Sequence, residues 1–251
     1  IDLARKRGLG LLAQDLGPGY LEQDRAARLF LYRGDMAAEW AAYAPDAQAI
    51  CTAFAAGINA YVDGVLAGDL PLPPEFALLD CAPAHWAPGD VVRVRSHSLT
   101  RNATSELLRA RVMALMGPRA GAALDLLRKD IEPFVVPAVP EGLDLGLFSD
   151  RVLRDFLLAV SPVSFARDRL EAPLADASLW SQPTPLGEVD RIASAEGSNN
   201  WVISPARSAT GRAILCLDPH RTHVLPSVRY IVHLSMPGFD AIGAGEPMVP
   251  G

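Results

Sequence analysis

The chain has 251 residues, 50% hydrophobic and 21% charged, and its 23 Lys and Arg against 29 Asp and Glu give a net charge of −6. That length allows one large domain or two ordinary ones with a sizeable core, and the aliphatic content excludes a disordered chain. The acidic balance excludes a nucleic-acid role, because phosphates need a basic face.

The first two-thirds is predicted to be helical. Residues 22–43 are rich in Ala, Leu, Arg and Glu and contain no Pro. Ile50, Phe54, Ile58, Tyr61 and Val65 recur at spacings of three and four, which places an apolar stripe on one helix. Asp46 precedes that stripe as its expected N-cap. Pro71, Pro73 and Pro74 break the chain, and Leu78-Leu79 is expected to anchor the loop that follows. Asp90 then caps a predicted helix from about Val91 to about Met116, closed by Gly117-Pro118.

From Asp130 to Gly197 repeated prolines cut the chain into short pieces, with one helix predicted from Asp150 to about Val160. Residues 175–197 carry Ser, Pro, Gly and Asp without periodicity and read as an exposed linker. After Gly197 the period becomes that of strands: Asn200–Ser204, Arg212–Leu217, Val228–Leu234 and Phe239–Gly243. Ser208-Ala209-Thr210-Gly211 supplies turn chemistry between the first two. Helices followed by strands predict an α+β layered fold rather than a parallel βαβ one. No apolar run approaches the ~20 residues needed to cross a membrane, and no membrane span is expected.

Cys51, Cys81 and Cys216 are odd in number and far apart, which suits buried free thiols and neither a disulfide framework nor a zinc site. There is no G-x-S-x-G elbow, no H-E-x-x-H and no phosphate-binding glycine loop. What remains is Gly197-Ser198-Asn199-Asn200-Trp201, where the linker meets the first strand. Elsewhere a Gly-Ser-Asn run is an ordinary turn. Here a hydroxyl residue follows Gly at the head of a strand and behind a removable linker, as self-cleavage requires. The Ser198 hydroxyl would attack the Gly197 carbonyl, and Gly197 tolerates the strained backbone this needs. The new N-terminal Ser198 would hold a nucleophile and an α-amine of pKa about 7.7–8.0. That amine can act as the general base for its own hydroxyl, so no His or Asp partner is required.

The stretch from Gly197 to Gly251 resembles the start of the β-chain in the penicillin acylase family of N-terminal nucleophile hydrolases. The resemblance rests on Gly197-Ser198-Asn199-Asn200-Trp201, Thr210-Gly211, Asp218-Pro219-His220-Arg221, Arg229-Tyr230, His233-Leu234 and Gly243-Ala244-Gly245. Upstream, Ala56-Gly57-Ile58-Asn59-Ala60-Tyr61, Leu72-Pro73-Pro74-Glu75-Phe76 and Ser105-Glu106-Leu107 resemble the family's helical α-chain. The order is right over nearly the whole chain.

The resemblance implies a truncated αββα layered fold: a mostly helical α-chain region over 1–175, a spacer over 176–197 and the start of the β-chain over 198–251. It implies that Ser198 is the nucleophile, Gly197 the residue released at processing, and His220 a neighbour that orients the nucleophile. A structural His closing the turn after Pro219 is the alternative for His220. Arg101 and Asn102 match positions lining the acyl pocket, with ordinary helix-face residues as the alternative. Glu106 matches a ligand of a structural calcium, with a solvated helix-surface Glu as the alternative; no organic cofactor is implied. Trp201 is expected to pack in the core behind the nucleophile. The oxyanion-hole donors of the family lie further along the β-chain, so the chain is expected to be a central piece of an unprocessed precursor.

The expected activity of the full-length protein is hydrolysis of a linear amide in a small N-acyl substrate: a penicillin or cephalosporin side chain, an acylated homoserine lactone or a lipopeptide. The α- and β-chains of one precursor would form a heterodimer, periplasmic or secreted. A non-catalytic helical interaction module and a degenerate acylase homologue are the alternatives.

Overall fold

The computed structural model describes residues 1–95, 103–123, 136, 138–149, 151–182, 198–220 and 229–250. They fall into two compact units, Ile1–Thr184 with Pro247–Gly251, and Pro185–Glu246.

The first unit is helical. Helices α1 (Asp2–Leu9), α2 (Leu12–Leu16) and α3 (Leu21–Leu29) follow one another closely. Gly10 ends α1 at φ 67°, a conformation that glycine adopts without a Cβ clash, and Leu11 N–H closes back on the Lys6 carbonyl at 2.8 Å. The Asp24 carboxylate accepts from the backbone N–H groups of Leu12 and Ala13 at 2.9 and 2.7 Å, satisfying the otherwise orphaned start of α2. The helix expected across 22–43 is two helices, because α3 ends at Leu29 and α4 runs Met36–Ala41. Asp35 caps α4 by accepting from Ala37 N–H at 2.9 Å, a break that the Ala-rich composition concealed.

Helix α5 (Ala47–Ala67) is the long helix that the periodicity predicted, but it buries a different face. Cys51, Ala55, Val62 and Val65 are buried, while Ile50 and Tyr61 are 46% and 48% exposed. Small Ala and Cys residues admit the Trp86 ring, Val91 and Val94 closely, and Phe54 and Ile58 pack at the edge of that cluster. Asp46 does occupy the N-cap position, yet its side chain makes no capping bond. With 21 residues and a mean hydropathy of 1.4, α5 is long and apolar enough to cross a membrane by length and composition, contrary to the sequence expectation. Its Asn59 is instead spent on the Trp86 backbone. The amide donates to the carbonyl at 2.9 Å and accepts from the N–H at 2.7 Å.

Helix α6 (Pro74–Leu78) follows the proline break, and Leu79 packs beside Leu12, Leu16 and Tyr20. Leu78 is 85% exposed, so only one of the two leucines anchors this segment. Helix α7 (Pro88–Arg95) starts three residues before the predicted site and α8 (Ala103–Met116) ends where predicted, with 96–102 outside the described residues. Asp90 sits in the first turn of α7 rather than ahead of it. Its carboxylate accepts from Ala87 N–H at 3.0 Å and pairs with Arg5 on α1 at 2.8 Å. Gly117 at φ 77° closes α8, and Pro118 opens α9 (Pro118–Ala123).

Helix α10 (Arg154–Val160) packs on α3, where Leu158 and Ala159 meet Ala26 and Ala27. A short α11 (Arg167–Leu170) and a 3-10 helix over Leu174–Trp180 follow. Gly19 lies against the Arg169 backbone so closely that a Cβ would fall well inside 3.0 Å, which makes this a glycine-only position.

The second unit is two antiparallel hairpins. Strand β1 (Ser198–Ile203) pairs with β2 (Ile214–Pro219), and β3 (Tyr230–Met236) pairs with β4 (Phe239–Gly245). Mixed helices and small antiparallel sheets agree with the α+β expectation, and the strand positions agree with the period-2 pattern.

Candidate active site

The site expected from the sequence lies at the open end of the β1–β2 hairpin. The connection between the strands is built from a 3-10 turn over Pro205–Arg207 and a Ser208–Thr210 hydroxyl contact of 2.8 Å, ending at Gly211 with φ 68°. Register then runs from Ile203↔Ile214 out to Asn199↔Asp218 and Ser198↔Pro219. Pro219 has no N–H to donate, so the ladder terminates at the pair containing Ser198. Ser198 is therefore the first residue of the strand, and it is exposed.

One position past Pro219, His220 returns toward the strand. Its Nε2 lies 2.9 Å from Asp218 Oδ2 and 3.5 Å from Asn199 Nδ2. An ionised carboxylate accepts only, so the 2.9 Å contact is the Nε2–H donating to Asp218. The 3.5 Å contact is at the limit of hydrogen bonding and does not decide the tautomer. Nδ1 is left as the acceptor nitrogen. The His220 and Asp218 side chains are 46% and 61% exposed, so this is a solvated pair in a polar environment. The sequence assigned a role to His220 alone. Asp218 and Asn199 were visible in the same motifs, and their signal was cross-strand register, which places Asn199 opposite Asp218.

Gly197, Arg101 and Asn102 lie outside the described residues. Glu106 is in the first turn of α8, 56% exposed and paired with Arg109 at 2.8 Å. Calcium takes six to eight oxygen ligands. Among the described residues no group of three or more His, Cys, Asp or Glu is placed to hold a metal. One exposed carboxylate already paired with an arginine does not fit a calcium site by itself. Trp201, expected in the core, is 53% exposed: a two-stranded hairpin offers no opposed layer of its own to bury an indole. All three cysteines are free thiols, but of the three expected to be buried only Cys51 is; Cys81 and Cys216 are half-buried. Among the described residues there are two other His–Asp pairs, His233–Asp240 across β3–β4 and His85–Asp63 in the helical unit, each at 2.7 Å.

Residues 1–251 match the model of the family described as penicillin amidase. The chain belongs to the penicillin amidase family. It is 32% identical over 257 residues to Penicillin acylase 2 proenzyme of Pseudomonas sp. (strain SE83), an alignment covering 100% of this chain and 29% of that protein. It is 25% identical over 253 residues to Acyl-homoserine lactone acylase QuiP of Pseudomonas aeruginosa, covering 96% of this chain and 26% of that protein. Penicillin G acylase of Escherichia coli is 22% identical over 275 residues, covering 100% of this chain and 32% of that protein. The chain thus spans under a third of the length of the curated relatives it matches.

Proposed function

We propose that the full-length protein is an acylase-type amidohydrolase that matures by autoproteolysis between Gly197 and Ser198. The observation that carries this reading is the placement of Ser198 as the exposed first residue of a strand in a chain of the penicillin amidase family. In maturation, Ser198 Oγ attacks the Gly197 carbonyl carbon. The Oγ–C bond forms, the peptide C–N bond breaks, and the hydroxyl proton ends on the nitrogen, which becomes the α-amine. Water then cleaves the ester, releasing the Gly197 carboxyl group and restoring the hydroxyl.

In turnover the Ser198 α-amine takes the hydroxyl proton and Oγ attacks the substrate's amide carbonyl. Collapse releases the amine portion and leaves an acyl ester on Ser198, which water hydrolyses to the free acid. His220 orients the nucleophile from the neighbouring strand end. The substrate class is a small N-acyl amide, such as a penicillin or cephalosporin side chain, an acyl-homoserine lactone or a lipopeptide. Support comes from the names of the relatives, two of them penicillin acylases and one an acyl-homoserine lactone acylase. The two chains of one precursor then form a heterodimer in an αββα N-terminal-nucleophile fold, in the periplasm or outside the cell. Arg101 and Asn102 line the acyl pocket.

The test is amine release from penicillin G, decanoyl-homoserine lactone and an N-acylated peptide by the full-length protein. The reading predicts turnover of at least one, abolished in Ser198→Ala. A wild-type protein inert toward all three would favour a degenerate homologue or an interaction module.

A further inference from the structure

We propose that residues 167–181 are the retained C-terminal clasp of the α-chain, so that the peptide lost in maturation comes only from residues 182–197. This deepens the maturation reading and rests on it, because the cut between Gly197 and Ser198 frees the far end of that peptide. The sequence expectation starts the spacer at 176, inside a segment that is folded and packed.

The segment is held along its length. Helix α11 (Arg167–Leu170) leads into the 3-10 helix Leu174–Trp180. Arg169, Ala172, Ala177 and Ser181 are all buried. The Arg169 guanidinium donates to the Gly19 carbonyl and to Gln23 Oε1, and it lies over the Tyr20 ring. Those hydrogen bonds join residues 150 and 146 positions apart, so the helical unit holds the segment and its chain neighbours do not. Tyr20 and Gln23 are fully buried and also fix the approach to the clasp. The Tyr20 hydroxyl accepts from Ser164 N–H at 3.1 Å, and Gln23 bonds the Ser161 carbonyl. At the far end Arg154 Nη2, on α10, donates to the Ser181 carbonyl at 3.4 Å.

A peptide bond is hydrolysed only when its chain is drawn out as an extended segment. A cut within 167–181 must first pull Arg169 away from two oxygens and a ring face, and hydrolysis there is limited by the population of that opened form. Residues 182–197 carry Pro183, Pro185, Gly187 and Gly197 without apolar periodicity, the composition of a linker that can be cut. In the second cut water adds across one peptide bond after Ser181. The α-chain gains a carboxyl end, and the freed peptide has a new amine at one end and the Gly197 carboxyl group at the other.

The test is mass spectrometry of the C-terminal peptide of the α-chain from the matured full-length protein. The wild-type α-chain is expected to end between Ser181 and Glu196. Arg169→Met should shift the terminus back to before residue 169. Arg167→Gln should leave it in place, because the Arg167 side chain is 87% exposed on the same short helix. A wild-type terminus before Ser181, an α-chain still ending at Gly197, or an Arg169→Met terminus like that of the wild type would each overturn the proposal. So would an equal shift in Arg167→Gln. Where Arg169→Met does not fold, the wild-type terminus decides alone. A wild-type chain that never splits at Ser198 overturns the maturation reading as well. A chain that splits there but loses residues 167–181 overturns this inference alone.

Discussion

The Arg169 guanidinium carbon lies 3.8 Å from the centroid of the Tyr20 ring, with the Trp180 ring at 5.6 Å. Its Nε donates to the Gly19 carbonyl at 3.0 Å and its Nη2 to Gln23 Oε1 at 2.9 Å, and Gln23 Nε2 donates to the Ser161 carbonyl at 2.9 Å. Arg169 is 9% exposed, so the cation is held by neutral oxygens and ring faces. Replacing it with Met leaves two buried acceptors unpaired and removes the cation–π contact, at a cost of about 3 kcal/mol. For a body of this size the melting temperature should fall by roughly 6–12 °C. Lys at 169 should recover little, because it lacks the planar fork that reaches both oxygens. A fall below about 2 °C in Arg169→Met would contradict this account of how residues 161–180 attach.

Asn59 makes a second specific junction. Asn59→Ala would remove both amide bonds to the Trp86 backbone, leaving a carbonyl and an N–H without partners, and should cost about 2–3 kcal/mol. Asn59→Asp keeps the acceptor and loses the donor, so it should fall between. Urea unfolding of the wild type and both variants gives the ranking directly. Equal midpoints for all three would show that the amide pair contributes nothing.

Stability should decline on the alkaline side, beginning near pH 9. Burial pushes the Cys51 and Cys81 thiols above their ordinary 9.0 and the Tyr20 phenol above 10.0. The hydrogen bond to Glu39, with burial behind it, pushes Tyr43 up to about 12. Burial alone would lower the Lys6 ammonium, but hydrogen bonds and charge from Asp15 and Asp2 outweigh it and raise the group above 10.5. In every case the folded state holds its proton at pH values where the unfolded chain has lost it. The unfolded state therefore binds fewer protons, and unfolding free energy falls as pH rises through this range. Denaturation midpoints measured from pH 8 to 11 should fall steadily; a rise would reverse the sign for these groups. The same burial predicts slow alkylation of Cys51 in the native protein and fast reaction after unfolding.

What the sequence revealed follows from how local each signal is. The four strands are short apolar-rich runs joined by turns that carry Gly211 and Gly238 at positive φ, so they were legible almost to their ends. Helix α5 was legible as a helix, but it is apolar on more than one side, and periodicity alone favoured Ile50 and Tyr61 over Cys51 and Ala55. The break before Asp35 was hidden inside an Ala-rich run. Arg169 and its ring partners were invisible, because their contacts join residues far apart in the chain. At the site, Ser198 was picked out by its place after Gly197 at the head of a strand, and His220 by the family resemblance. The Asp218 contact was not, because a charged residue in a strand is ordinarily read as a solvated face.

The central claim is tested most directly by the intact mass and N-terminal sequence of the full-length protein after expression. The account predicts two chains, one of them beginning Ser198-Asn199-Asn200-Trp201, and a single uncut chain in Ser198→Ala. A wild-type protein that remains one chain, or a Ser198→Ala protein that still splits at the same bond, would contradict it.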